Sequence, residues 1–142
     1  LIGGLKTDRV VWIDRGGQPT AIGFCPSEAA WYREMKRLRC EAPWPKKTNA
    51  AGYTQWMRNH DTGEGVILVC VFPRAECDAL EVIMTLVHEA VHVWQFLCEQ
   101  IGEKEPGIEM EAYAIENIAR GLVEAYTATQ GNGKDWSLVG KR

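Results

Sequence analysis

The stretch DALEVIMTLVHEAVHVWQFLCEQI, residues 78–101, decides the fold. Its apolar positions recur at helical spacing: Leu80, Ile83, Leu86, Val87, Ala90, Val91, Trp94, Leu97, Cys98 and Ile101 fall on one side. Glu81, Thr85, His88, Glu89, His92, Gln95 and Glu99 form a polar stripe on the other. Asp78 and Glu81 have the spacing of a capping box, and Gly102 supplies the stop. The segment is therefore read as one long amphipathic helix.

Before it, residues 10–13 and 20–24 are β-rich runs joined by a turn at Gly16-Gly17, which reads as a hairpin. SEAAWYREMKRLRC follows as a helix with Ser27 as its N-cap, ended ahead of Pro43 and Pro45. Residues 53–57 and 66–72 flank the turn NHDTGEG as a second hairpin. The 66–72 run, apolar throughout, suits an edge strand open to an extended peptide or a plain central strand. A last helix spans about residues 106–130. The order ββα–ββ–αα defines an α+β fold: a small, mostly antiparallel sheet, one amino-terminal helix and two long carboxy-terminal helices. Residues 1–130 form a single domain, and 131–142 read as a flexible tail unless Trp136 docks.

The chain has 142 residues, 46% hydrophobic and 25% charged, with a net charge of -3, and so carries no basic footprint for nucleic acid. Its longest apolar run is too short to span a bilayer. Five cysteines, an odd number with no CxxC pair, argue for a reducing compartment rather than a disulfide framework. With no charged-then-apolar leader at the start, the expected location is cytoplasmic.

His88 and His92 lie one turn apart on one helix face, a spacing at which two imidazoles can hold one zinc ion. Glu89 stands about 100° round from His88, where a carboxylate can take a proton from a metal-activated water. A solvated stripe with two chance histidines would look the same, and a catalytic zinc needs a third protein ligand. The HExxHxxGxxH route is closed, because Gln95 and Cys98 occupy the later positions and the helix should simply continue. On the last helix Glu111 sits in the middle of the apolar face with Ile115, Ile118, Ala119 and Leu122, whereas Glu109 and Glu116 face solvent. A carboxylate turned inward needs a cation: a zinc held by the preceding helix, or an arginine of the first helix such as Arg33 or Arg37. The reach is not tight. From His92 to Ile101 the chain descends about 13 Å, and from Pro106 to Glu111 it climbs only about 7 Å.

HEAVH, eighteen residues, then Glu111 followed by AYA resembles the HExxH-x18-E arrangement of gluzincin metallopeptidases, in particular small gluzincin-like domains of bacteria and their phages. The resemblance covers about residues 66–126. It implies a zincin-like fold, one zinc per chain held by His88, His92 and Glu111, Glu89 as catalytic base, and hydrolysis of peptide bonds in a protein or peptide substrate beneath an edge strand. The family's larger members carry a downstream Tyr or His that steadies the oxyanion. No histidine follows His92 here, and Tyr53, His60, Tyr113 and Tyr126 are the remaining donors. The expected function is thus a zinc-dependent endopeptidase. A non-catalytic zinc-stabilised interaction domain is the alternative, and a metal-free interaction module is the third reading.

Overall fold

A computed structural model describes residues 7–47 and 50–130. β1 (Val11–Trp12) and β2 (Ala21–Phe24) form the first hairpin, and α1 (Glu28–Leu38) follows. A single 3-10 turn at Pro45–Lys47 leads to the second hairpin, β3 (Gly52–Arg58) and β4 (Gly65–Val71). α2 (Ala79–Ile101) and α3 (Ile108–Ala128) complete the fold. The last helix is shorter at both ends than its pattern suggests. The tail at 131–142, with Trp136, lies outside the described residues.

The four strands take the order β1-β2-β4-β3. β1–β2 and β3–β4 are antiparallel, but β2 and β4 run parallel, with Ala21 opposite Val66 and Phe24 opposite Val69. The sheet is therefore mixed rather than mostly antiparallel. Parallel neighbours need a long crossover, and α1 with β3 supplies it. That placement also resolves the 66–72 run: β4 is central, and the strand left at the edge is β3. Helices cover both faces of this central strand, which is why the sequence of β4 does not alternate.

The two faces of β4 feed separate cores. Ile67, Val69 and Val71 pack with Leu86, Ala90, Val93 and Leu97 of α2 and Ile118 and Leu122 of α3. Val66, Leu68 and Cys70 pack with Trp31, Met35 and Leu38 of α1. The chain is three layers deep, with α1 behind the sheet and the paired helices α2 and α3 in front. No disulfide links the five cysteines. No helix among the described residues is long and apolar enough to cross a membrane.

α2 starts where its sequence says. The Asp78 carboxylate accepts from Glu81 N at 2.8 Å, and the Glu81 carboxylate accepts from Asp78 N at 3.1 Å. Gly102 closes the helix at φ 71°, in the left-handed region. Asp78→Ala removes one half of the box and is expected to cost about 1 kcal/mol. Thermal denaturation should show it as a fall in Tm of about 4 °C.

Candidate metal centre

α2 presents its two histidines on consecutive turns, His88 exposed and His92 half-buried. Their Nε2 atoms are 3.1 Å apart, with ring centroids at 4.8 Å. Two nitrogens bound to one tetrahedral zinc, each at about 2.0–2.1 Å, stand roughly 3.3 Å from one another. The pair already has close to the bite of a chelate. His92 is fixed from its other side, where Nδ1 lies 2.9 Å from Oε1 of Gln95. An amide oxygen only accepts, so that contact puts the imidazole proton on Nδ1 and turns the Nε2 lone pair toward His88 Nε2.

Glu89 does not belong to the wet stripe where the helical pattern puts it. It is 4% exposed, and its Oε1 accepts a 2.7 Å hydrogen bond from the Thr54 hydroxyl of β3. Gly52, at the start of the same strand, passes so close that a Cβ there would stand 2.8 Å from Glu89 Oε2. A helical wheel shows which way Glu89 points but not that an edge strand lies over it. Gly52 and Thr54 were thus missed as site residues. The one available signal was a glycine opening a β-rich run, which often marks a close approach.

Glu111 is half-buried on the first turn of α3. Its Oε2 accepts a 2.8 Å hydrogen bond from the indole N–H of Trp94, which is itself 2% exposed. The neighbouring Cys98 thiol is pushed up in pKa, first by burial and then by the Glu111 charge. The arginine alternative is not realised. Arg33 pairs with Asp8 at 3.6 Å, Arg37 with Glu34 at 2.7 Å and Glu64 at 3.0 Å, and α1 lies behind the sheet. Nor does Glu111 join the histidines. Among the described residues no group of three or more His, Cys, Asp or Glu side chains is gathered to hold a metal. His88 and His92 are brought together, while Glu89 stays with Thr54 and Glu111 with Trp94.

The oxyanion candidates scatter. Tyr53 packs on Trp31 behind the sheet, with its hydroxyl donated to Gln55. Tyr126 is buried edge-on to Phe24 in the front core. Tyr113 is exposed on α3, and His60 is exposed in the β3–β4 turn. A cavity of about 360 Å³ opens on the amino-terminal side of His88, lined by Ala51, Val71, Phe72, Val82 and Thr85 among others.

No protein-family model, no curated protein and no solved structure matches this chain.

Proposed function

We propose that the chain is a zinc-dependent peptidase of small gluzincin-like, zincin-type architecture, with His88, His92 and Glu111 as the metal-holding residues. The observation that carries this reading is the position of Glu89. Its carboxylate is held by Thr54 between the histidine turn and an edge strand, which is where a general base for peptide hydrolysis is needed. The donor set, two imidazole nitrogens and one carboxylate, is the usual complement of a catalytic zinc with an open position. Bound there, zinc would acidify a water and polarise the scissile carbonyl.

The remaining work falls to the chain's own side chains. Glu89 takes the proton of the attacking water and delivers it to the leaving amine. Thr54 keeps one oxygen of that carboxylate occupied and so fixes its plane. Gln95 holds the tautomer of His92.

Binding follows from the sheet. Phe72 N donates to Ala51 O at 2.8 Å and Asn59 N to Glu64 O at 2.7 Å, so the odd-numbered residues of β3 turn their backbone groups toward β4. Gly52, Thr54 and Trp56 then direct theirs to the open edge. An extended peptide adding there would lie along the same stretch of β3 that covers Glu89, with little demand on its sequence. The cavity beside Thr85 is placed to take one of its side chains.

The direct test is zinc content, measured on the purified wild-type chain and on Glu111→Ala. The expected result is about one zinc per chain in the wild type and a clear loss in the variant. A wild type that takes up no zinc, even when the metal is added back, ends the peptidase reading.

A further inference from the structure

The other edge of the sheet carries a surface that the peptidase reading does not use. β1 is only two residues long, so the flank of α3 beyond it is left bare. The two elements meet closely at one point, where a Cβ on Gly121 would stand 2.9 Å from that of Ile13. Between them runs a groove of about 640 Å³, floored by Val11, Ile13, Gly121, Ala125 and Ala128. Met110 and Tyr113, 54% and 67% exposed, extend its apolar wall toward the start of α3, along the flank that Asn117 continues into the groove. Single exposed apolar residues are ordinary, whereas a row of them leading into an apolar groove marks an interaction surface.

The rim fixes the charge of the occupant. Asp14 at the end of β1 and Glu124 on α3 are exposed carboxylates, and neither forms an ion pair among the described residues. Arg120 also lines the groove but is paired with Glu116 at 3.4 Å. Glu109, one turn before Tyr113, adds a further exposed carboxylate. The edge in turn fixes the occupant's conformation. Ile13 N donates to Ile22 O, so within β1 only Trp12 turns its backbone groups outward. An extended chain would gain one residue's worth of backbone hydrogen bonds there. A helix satisfies its own backbone and needs only the groove.

We infer that the groove between β1 and α3 docks an amphipathic helix of a partner protein, apolar on one face and flanked by lysine or arginine. From Met110 to Ala128 α3 is about 27 Å long, which matches a helix of about 18 residues. The partner's apolar face covers the floor, and its cations meet Asp14, Glu124 and Glu109 at the rim, where they steer and orient the encounter. The groove lies at the opposite edge of the sheet from β3 and needs no metal, so it stands independently of the peptidase reading.

The probe is a synthetic amphipathic helix of leucine and lysine, about 18 residues long, with a leucine–glutamate peptide of the same pattern as its counterpart. The readout is the alanine methyl spectrum of the full chain, in which Ala128→Ser identifies the Ala128 signal by its loss. The lysine peptide is expected to move that signal saturably, and the glutamate peptide to leave it in place. Asp14→Lys combined with Glu124→Lys is expected to weaken the lysine peptide roughly tenfold. Glu41→Lys combined with Glu99→Lys makes an equal change of net charge on exposed residues outside the groove. That pair is expected to leave the affinity within about twofold. An unmoved Ala128 signal, or equal weakening in both double variants, overturns the inference. A lysine peptide that binds only once residues 131–142 are deleted, or only on dilution of the protein, overturns it too. The occupant is then the chain's own segment in the first case and a second copy in the other.

Discussion

On the proposed peptidase reading, Glu89→Gln is expected to suppress hydrolysis while the chain stays folded and its zinc uptake is unchanged. The amide is nearly isosteric, and its oxygen still accepts from Thr54, whose 2.7 Å bond to the carboxylate otherwise holds the group in place. The change removes the ability to take a proton. General-base catalysis contributes about 10²–10⁴-fold, so residual turnover should lie that far below wild type. Stability should not fall, because the substitution withdraws a charge from a site that is 4% exposed. The measurement pairs cleavage of an unstructured protein substrate with zinc content and Tm. Loss of zinc alongside activity would mean that Glu89 supports the fold or the ligands rather than the chemistry. Unchanged activity would remove it as the base.

The second large effect belongs to Gly52→Ala. The added methyl would stand 2.8 Å from Glu89 Oε2 and 2.9 Å from its Cδ and Cγ, well inside contact distance. The far end of a surface glutamate would swing aside at little cost. This one is buried beneath the strand and bonded to Thr54, so either β3 lifts or the carboxylate leaves its place. Overpacking of this kind costs about 1–3 kcal/mol, which in a chain of this size is a Tm drop of roughly 4–12 °C. Activity should fall with it, since the displaced group is the proposed base. The check is a double-mutant cycle. In a Glu89→Ala background the methyl has room, and Gly52→Ala should then cost less than a third of what it costs in the wild type. Equal costs in both backgrounds would mean that the glycine answers to strand conformation and not to Glu89.

The extent of α2 was legible because its signals are local: the Asp78–Glu81 box, the apolar period and Gly102 all lie within the segment they define. Both hairpins were legible for the same reason. The parallel pairing of β2 with β4 was not, since nothing in either strand records which way its neighbour runs. The candidate site divides along the same line. The His88–His92 spacing follows from one helix and is found as read. The burial of Glu89 depends on β3, thirty-five residues earlier, and the helical wheel misplaced it. For Glu111 the inward face was read correctly, while its partner was not. An indole N–H is a donor that a search for compensating cations passes over.

The order β1-β2-β4-β3 has a consequence for how the molecule opens. β3 is secured by a single ladder, whereas β2 and β4 are clamped from both sides and sandwiched between two cores. Detaching β3 breaks one set of backbone bonds, together with its packing on α2, and leaves the β2–β4 pairing and the α2–α3 pair intact. The proposed base is thus shuttered by an edge strand, whose detachment need not unfold its neighbours. A peptide that bonds to the free edge of that strand would supply the missing second ladder, stiffening the shutter at the moment the site is in use.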